Sequence, residues 1–213
     1  MSTSGEQRVD FESLRRLKRP RRPSAEACDL CSAELAPTHQ HLLDAKSRAV
    51  LCSCDACAIL FSQTETQTYH RIPRSIRYLS GFGMSDAQWG ALNIPIDLAF
   101  FTVTGAPLRP VAFYPSPGGA IESLLNLESW DEIVRQNVAV GKMKPEVEAL
   151  LINRTTVPHE YYLVPIDECY RLVGIIRSQW RGFSGGKEVW QAIAFFFNSL
   201  KQRATPIREG SHA

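Results

Sequence analysis

Four of the six cysteines form two C-x-x-C pairs, Cys28 with Cys31 and Cys54 with Cys57, separated by the 22 residues 32–53. The sulfurs of one pair can share a turn, and two pairs brought opposite each other can complete a tetrahedron of thiolates. Zinc accepts four soft ligands in this geometry without redox chemistry. The spacing therefore predicts a zinc site. Because all four coordination positions would be filled, a structural role is favoured over hydrolysis.

Other metals and other ligands fit the same pattern. Iron also binds four thiolates, in a rubredoxin-like centre or an iron–sulfur cluster, and the ligand types do not separate it from zinc. Disulfides or free buried thiols are a further interpretation of these cysteines. Cys52, His39 and His41 lie between the two pairs and offer one more sulfur and two imidazoles. Each of the three therefore stays a candidate ligand.

The residues between the two cysteine pairs must bring the pairs together. Residues 39–46 and 47–52 form two short segments that could pair as a β-hairpin and carry the second pair to the first. A module of about 35 residues is too small to bury an adequate core by itself. Bound metal would then supply folding free energy, on the order of 10 kcal/mol for structural zinc. We therefore predict a zinc-ribbon-like metal module over residues 27–63.

A basic segment precedes this module. Residues 1–26 include two prolines that interrupt any helix, and they predict a flexible tail. The closely spaced cations of this tail are Arg15, Arg16, Lys18, Arg19, Arg21 and Arg22. Such a cluster could neutralise nucleic-acid phosphates, although no interleaved aromatic residues are present to stack on bases. A solvated tail is therefore favoured over a dedicated nucleic-acid arm.

The longest part of the chain, residues 64–204, predicts a domain of the α+β class, followed by a flexible C-terminal tail over residues 205–213. Strand pairs separated by helices, without a regular strand–helix alternation, favour antiparallel strands over a doubly wound parallel sheet. Segments rich in aromatic and β-branched residues predict the strands. These segments are residues 96–104, 109–114, 148–154 and 160–165.

Helices are predicted from caps and apolar stripes. Ser85 and Gln88 have the spacing of a capping box, which predicts a short helix after Ser85. An apolar stripe predicts a helix over residues 128–137. Asp167 is placed to cap a helix that carries Cys169 on its apolar face, and a last amphipathic helix is predicted over residues 187–202.

Composition narrows the class of protein. With 44% hydrophobic and 22% charged residues, the chain has the composition of an ordinary globular protein. The formal net charge is only +2, which by itself predicts no polyanionic partner. The N-terminus lacks the apolar core of a secretory signal, and the most apolar stretches are far shorter than the roughly 20 residues that a membrane helix needs. We therefore expect a cytoplasmic protein without membrane insertion.

No catalytic residue and no organic cofactor site is predicted. The glycine-rich residues 182–186 resemble a phosphate loop only loosely, because a helix precedes them and Glu188 replaces the expected serine or threonine. Backbone amides there, beside Arg181 and Lys187, could receive an anion, but a helix–helix turn is favoured. Ser116 lacks the surroundings of a nucleophile, and Cys169 is expected to be a buried apolar residue.

Residues 165–177 and 180–186, together with residues 112–119 and the cysteine module, resemble an uncharacterised bacterial family often encoded beside nickel–iron hydrogenase genes. The resemblance covers most of the chain beyond the basic tail and brings no catalytic residues with it. It implies a cytoplasmic accessory role in hydrogenase biogenesis or electron delivery. The widely separated cysteine pairs of the hydrogenase large subunits are missing from this sequence.

These observations favour a non-enzymatic, zinc-binding accessory protein that docks on a protein partner, such as a hydrogenase subunit or a maturation factor. An iron–thiolate electron carrier is the first alternative, since the same cysteines would serve it. A regulator that binds nucleic acid through the basic tail and the zinc ribbon is the second.

Overall fold

The computed structural model describes residues 26–62, 68–105, 107–123, 127–182 and 184–207. Apart from Glu26, the predicted basic tail lies outside these ranges, and so do the nucleic-acid contacts suggested for it. Among the described residues, no helix combines the length and the apolarity that crossing a membrane requires.

A small antiparallel sheet follows the first cysteine pair. Its strands are β1 (Gln40–Asp44), β2 (Val50–Ser53) and β3 (Tyr69–Arg71), in the order β2-β1-β3. β1 and β2 form the predicted hairpin, in which His41 lies opposite Cys52. Helix α1 (Asp55–Ser62) starts immediately after Cys54 and carries Cys57 in its first turn. The hairpin therefore delivers the second cysteine pair to the side of the first.

A seven-stranded sheet forms the centre of the larger domain, with β10-β4-β9-β8-β5-β6-β7 as its strand order. The strands are β4 (Arg77–Leu79), β5 (Leu98–Thr104), β6 (Arg109–Ser116), β7 (Gly119–Ser123), β8 (Glu148–Asn153), β9 (Glu160–Pro165) and β10 (Thr205–Ile207). All neighbouring pairs are antiparallel except β10 with β4. The predicted α+β class and its antiparallel strands are confirmed.

Helices cover both faces of this sheet. They are α2 (Asp86–Ala91), α3 (Leu127–Gln136), α4 (Val138–Gly141), α5 (Ile166–Gln179) and α6 (Gly186–Arg203). The predicted capping box is present at the start of α2, where the Ser85 hydroxyl accepts from the Gln88 amide and the Gln88 side chain accepts from the Ser85 amide. The two long C-terminal helices, α5 and α6, lie on the opposite face of the sheet from α2 and α3.

Alternation along the central strands divides the apolar residues into two cores. On β5, Leu98 and Phe100 belong to core 1, which α5 and α6 cover, whereas Ala99 and Phe101 belong to core 2, which α2, α3 and α4 cover. Because successive side chains of a strand point to opposite faces, a strand buried on both faces is apolar throughout. β8 follows the same rule at residues 149–152.

The small sheet is packed against the larger domain. Leu43 of β1 is fully buried and belongs to core 1, with partly buried Val50 of β2 beside it. Arg48, in the turn between these strands, donates to Thr104 and forms an ion pair with Glu146. The cysteine module and the α+β domain therefore share an apolar core and a polar contact.

Two local expectations are corrected. Asp167 is not the N-cap of α5, since the helix begins at Ile166 after Pro165 and no side chain caps it. Asp167 lies in the first turn instead and contacts His41 of β1. Thr205–Ile207, expected within the C-terminal tail, form β10 at the edge of the large sheet. Pro206 is tolerated there because an edge strand leaves one side unpaired.

Candidate metal centre

The first cysteine pair lies in a tight turn. The Cys28 amide donates to the Ala33 carbonyl at 2.8 Å, and the Ser32 amide donates to the Cys28 carbonyl at 2.8 Å. Ser32 has a φ of +62°, the left-handed conformation that lets the chain reverse within these few residues. The turn leaves Cys28 buried and Cys31 exposed, with both sulfurs directed at the second pair.

The second pair is set by the start of α1. The Cys57 amide donates to the Cys54 sulfur at 3.4 Å, and the Ala58 amide donates to the Cys54 carbonyl at 2.9 Å. Cys54 thus acts as the residue before the helix, whose unpaired amides face its sulfur.

Two hydrogen bonds join the first turn to β2. The Asp29 amide donates to the Cys52 carbonyl at 2.9 Å, and the Cys52 amide donates to an Asp29 carboxylate oxygen at 2.7 Å. Because β2 leads directly into Cys54, these bonds fix the distance between the two pairs. The relative position of the two cysteine pairs is therefore set by the local turns and by this contact with β2.

All four sulfurs, those of Cys28, Cys31, Cys54 and Cys57, lie within 4.8 Å of one another. The Cys31 and Cys54 sulfurs are 3.8 Å apart. A tetrahedron with sulfurs about 2.3 Å from a zinc ion has edges of about 3.8 Å. The four-cysteine site, as we call this group, is thus compact enough to hold one tetrahedral metal ion. The two pairs are brought together as their spacing suggested.

The surroundings within the four-cysteine site lower the pKa of Cys28 and raise that of Cys57. Burial opposes ionisation of the Cys28 thiol, but backbone N–H groups, that of Cys54 foremost, donate to its sulfur, and the pKa falls to about 6. Burial and contacts with the other thiols raise the pKa of Cys57 to about 12. A bound dication would remove this mutual opposition, since thiolates rather than thiols are metal ligands.

The apolar support of the four-cysteine site is small. Its buried residues are Cys28, Leu35 and Cys57, with Leu30 and Phe61 partly buried against them. This cluster is separate from core 1 and core 2. A cluster of this size contributes little apolar burial by itself.

His39, His41 and Cys52 form a second group. One ligand atom of each lies within 4.8 Å of the others. The Nδ1 atom of His41 is 2.5 Å from a carboxylate oxygen of Asp167, and this hydrogen bond raises the pKa of His41 against the effect of burial. Sequence alone gave no signal for Asp167 here, because the two residues are 126 positions apart.

The glycine-rich segment and Cys169, which the sequence analysis considered as weaker candidate sites, have structural roles. Gly185 has a φ of +87° and precedes α6, while Arg181 donates to the carbonyls of Ser178 and Trp180. The glycine-rich segment is therefore a turn between α5 and α6, as favoured. Cys169 is fully buried in core 1, and its burial raises the pKa of the thiol well above the usual value.

A family model described as a family of unknown function (DUF5947) matches residues 27–204, and the chain belongs to this family. The match starts one residue before Cys28 and so includes both cysteine pairs and the α+β domain. No curated protein and no solved structure matches the chain.

Proposed function

We propose that this member of DUF5947 is a metal-binding accessory protein in which Cys28, Cys31, Cys54 and Cys57 hold a structural zinc ion. The observation that carries the proposal is the approach of all four sulfurs to within 4.8 Å, with the Cys31 and Cys54 sulfurs at 3.8 Å. Four thiolates close the coordination sphere of zinc and leave no position for a reacting water. The role that follows is stabilisation of the module, without chemistry at the metal.

Metal analysis tests this proposal on protein purified without added metal. Zinc content and the visible absorption spectrum are measured for the wild-type chain and for the variants Cys28→Ser and Cys57→Ser. We expect each variant to lose one equivalent of zinc relative to the wild type. Cys169→Ala is the matched control, since its thiol is buried in core 1 and should leave the zinc content unchanged. The full wild-type zinc content in both ligand variants would overturn the proposal.

Iron in the four-cysteine site is the second candidate, and one observation favours considering it. Cys31 is exposed, so that one ligand sulfur reaches the surface, where electrons could be exchanged with a partner. Four thiolates hold iron as readily as zinc. The same measurement separates the two, because iron–thiolate absorption that bleaches on reduction would establish an electron carrier and exclude a structural zinc.

We further propose that the metal module docks on a protein partner. Ile59 and Leu60 are 53% and 67% exposed on α1, the helix whose first turn carries Cys57. These two neighbouring aliphatic side chains give α1 an exposed apolar surface that a protein partner would cover. The sequence resemblance points to hydrogenase subunits or maturation factors as partners and to a cytoplasmic location.

Binding assays with purified hydrogenase subunits and maturation factors test the docking proposal. We expect a complex with the wild-type chain and at least tenfold weaker binding for Leu60→Asp. Val157→Asp is the control, because Val157 is 91% exposed but belongs to the loop between β8 and β9. If none of these proteins binds, or if the two variants behave alike, the docking proposal fails while the zinc proposal is unaffected.

A further inference from the structure

The group formed by His39, His41 and Cys52 is distinct from the four-cysteine site and contains three good ligands for a transition metal. His41 and Cys52 lie opposite each other in the β1–β2 register. His39 comes two residues before His41, on the segment entering β1. Two imidazoles and one thiolate are ligand types that zinc accepts.

Both histidines are oriented by their Nδ1 atoms. The Nδ1 atom of His39 lies 3.0 Å from the Ala36 carbonyl oxygen and 3.6 Å from a Glu26 carboxylate oxygen. The Nδ1 atom of His41 lies 2.5 Å from the Asp167 carboxylate. Since these partners are acceptors, each Nδ1 donates a hydrogen bond, and each Nε2 is left to hold either a proton or a metal ion. Metal-ligating histidines are held in this way, by a carboxylate or a backbone carbonyl.

The two Nε2 atoms face each other at 3.2 Å. Two lone pairs at this distance repel each other, so the arrangement requires either a proton on one ring or a cation beside both. Nitrogens about 2.0 to 2.1 Å from a tetrahedral zinc ion are about 3.3 Å apart. One ring nitrogen of each histidine also lies within 4.8 Å of the Cys52 sulfur, so the cation interpretation accounts for the third ligand as well.

The surroundings leave room for a further ligand. His39 and His41 line a cavity of about 280 Å³ that Arg74, Arg203 and Asp167 also line. Three protein ligands beside a cavity are characteristic of zinc sites that keep an exchangeable fourth position. Glu168 also lines the cavity and pairs with Arg203 at 2.7 Å, so the two arginines are balanced by two carboxylates and water is the fitting occupant of that position.

We propose that His39, His41 and Cys52 form a second metal site, which takes a divalent ion of the zinc class and completes its coordination with water. Asp167 is a positioning residue of this site, since it contacts the metal only through His41. The site lies where β1 meets the first turn of α5, so that metal binding there would connect the cysteine module to the α+β domain.

Native mass spectrometry of the full chain, titrated with Zn²⁺ alone, tests this proposal. We expect two zinc ions per wild-type chain and one in His39→Ala and in Cys52→Ser. His159→Ala is the matched control, because His159 also has its Nδ1 atom on the carbonyl of the third preceding residue, at 2.8 Å from Thr156, yet belongs to the β8–β9 loop. This control should keep two ions.

Asp167→Asn gives an independent readout. Loss of a carboxylate that holds a ligating histidine weakens metal affinity by about 10- to 100-fold. We expect this loss for one of the two zinc ions in competition with a chelator, with the circular dichroism spectrum unchanged. A single zinc ion in the wild type, or two in His39→Ala, would overturn the proposal and leave an N–H···N bond between the histidines. The four-cysteine variants report on the other site separately.

Discussion

The Nδ1 atom of His41 lies 2.5 Å from the Asp167 carboxylate and thereby connects β1 of the cysteine module to the first turn of α5. The contact is partly buried on both sides, so the pair is only weakly screened by solvent. Leu43, two residues further along β1, is buried in core 1. A polar contact and an apolar contact on one strand therefore fix the cysteine module against the larger domain.

Removal of zinc from the full chain is expected to unfold the cysteine module locally. The cluster of Cys28, Leu35 and Cys57 is too small to hold the turns once the sulfurs repel each other. Hydrogen–deuterium exchange with and without a strong chelator measures the effect. Amides of residues 28–35 and 52–58 should lose protection, whereas those of β5 and β8 should keep it. Unchanged protection at residues 28–35 would show that metal does not support the module.

Leu43→Ala should destabilise the whole protein, because Leu43 belongs to the core that α5 and α6 cover. We expect the free energy of unfolding to fall by about 3 kcal/mol, the usual cost of truncating a fully buried leucine. Leu60→Ala, at a site 67% exposed, should change it by less than about 0.5 kcal/mol. Urea denaturation followed by tryptophan fluorescence measures both. Equal effects would contradict the shared core.

Arg77→Met should leave a buried carboxylate without its cation. Arg77 donates to Glu148 at 2.8 Å, and the Glu148 side chain is only 3% exposed. Breaking a buried pair from one side costs about 3 kcal/mol. Arg109→Met breaks an exposed pair with Glu122 and should cost less than about 1 kcal/mol. Thermal and urea denaturation of the two variants compare a buried with an exposed arginine–glutamate ion pair. A similar loss of stability in both variants would contradict the importance of the buried pair.

Gly185→Ala tests the structural role of the glycine-rich turn. Gly185 has a φ of +87°, and an added Cβ would lie 2.8 Å from a Val189 methyl group and 3.1 Å from the Trp180 ring. We expect a loss of about 2 kcal/mol in the free energy of unfolding from strain and crowding. Gly83→Ala is the control, since a Cβ there meets nothing within 4 Å. A neutral Gly185→Ala would show that the turn does not need glycine.

The local features of the fold were predictable from sequence because their causes are local. The Ser85 and Gln88 capping box and the β1–β2 hairpin depend on residues a few positions apart. The convergence of the cysteine pairs also follows from short turns, with the hairpin between them. Aromatic and β-branched residues predicted strands at residues 96–104 and 148–154, where β5 and β8 lie.

The contacts that join distant segments were not predictable in the same way. The approach of Asp167 to His41 depends on how α5 lies against the small sheet, and nothing near Asp167 in sequence signals it. The parallel pairing of β10 with β4 likewise follows from the position at which α6 ends. The sequence identified His39, His41 and Cys52 as candidates, but only their arrangement in space separates them from the four-cysteine site.

X-ray absorption at the zinc edge tests the central claim most directly. The double variant His39→Ala/His41→Ala removes the second group and leaves the four-cysteine site intact. We predict one zinc ion per chain, surrounded by four sulfur atoms at about 2.3 Å with no nitrogen or oxygen ligand. A mixed coordination sphere, iron in place of zinc, or a chain that binds no metal would contradict the claim.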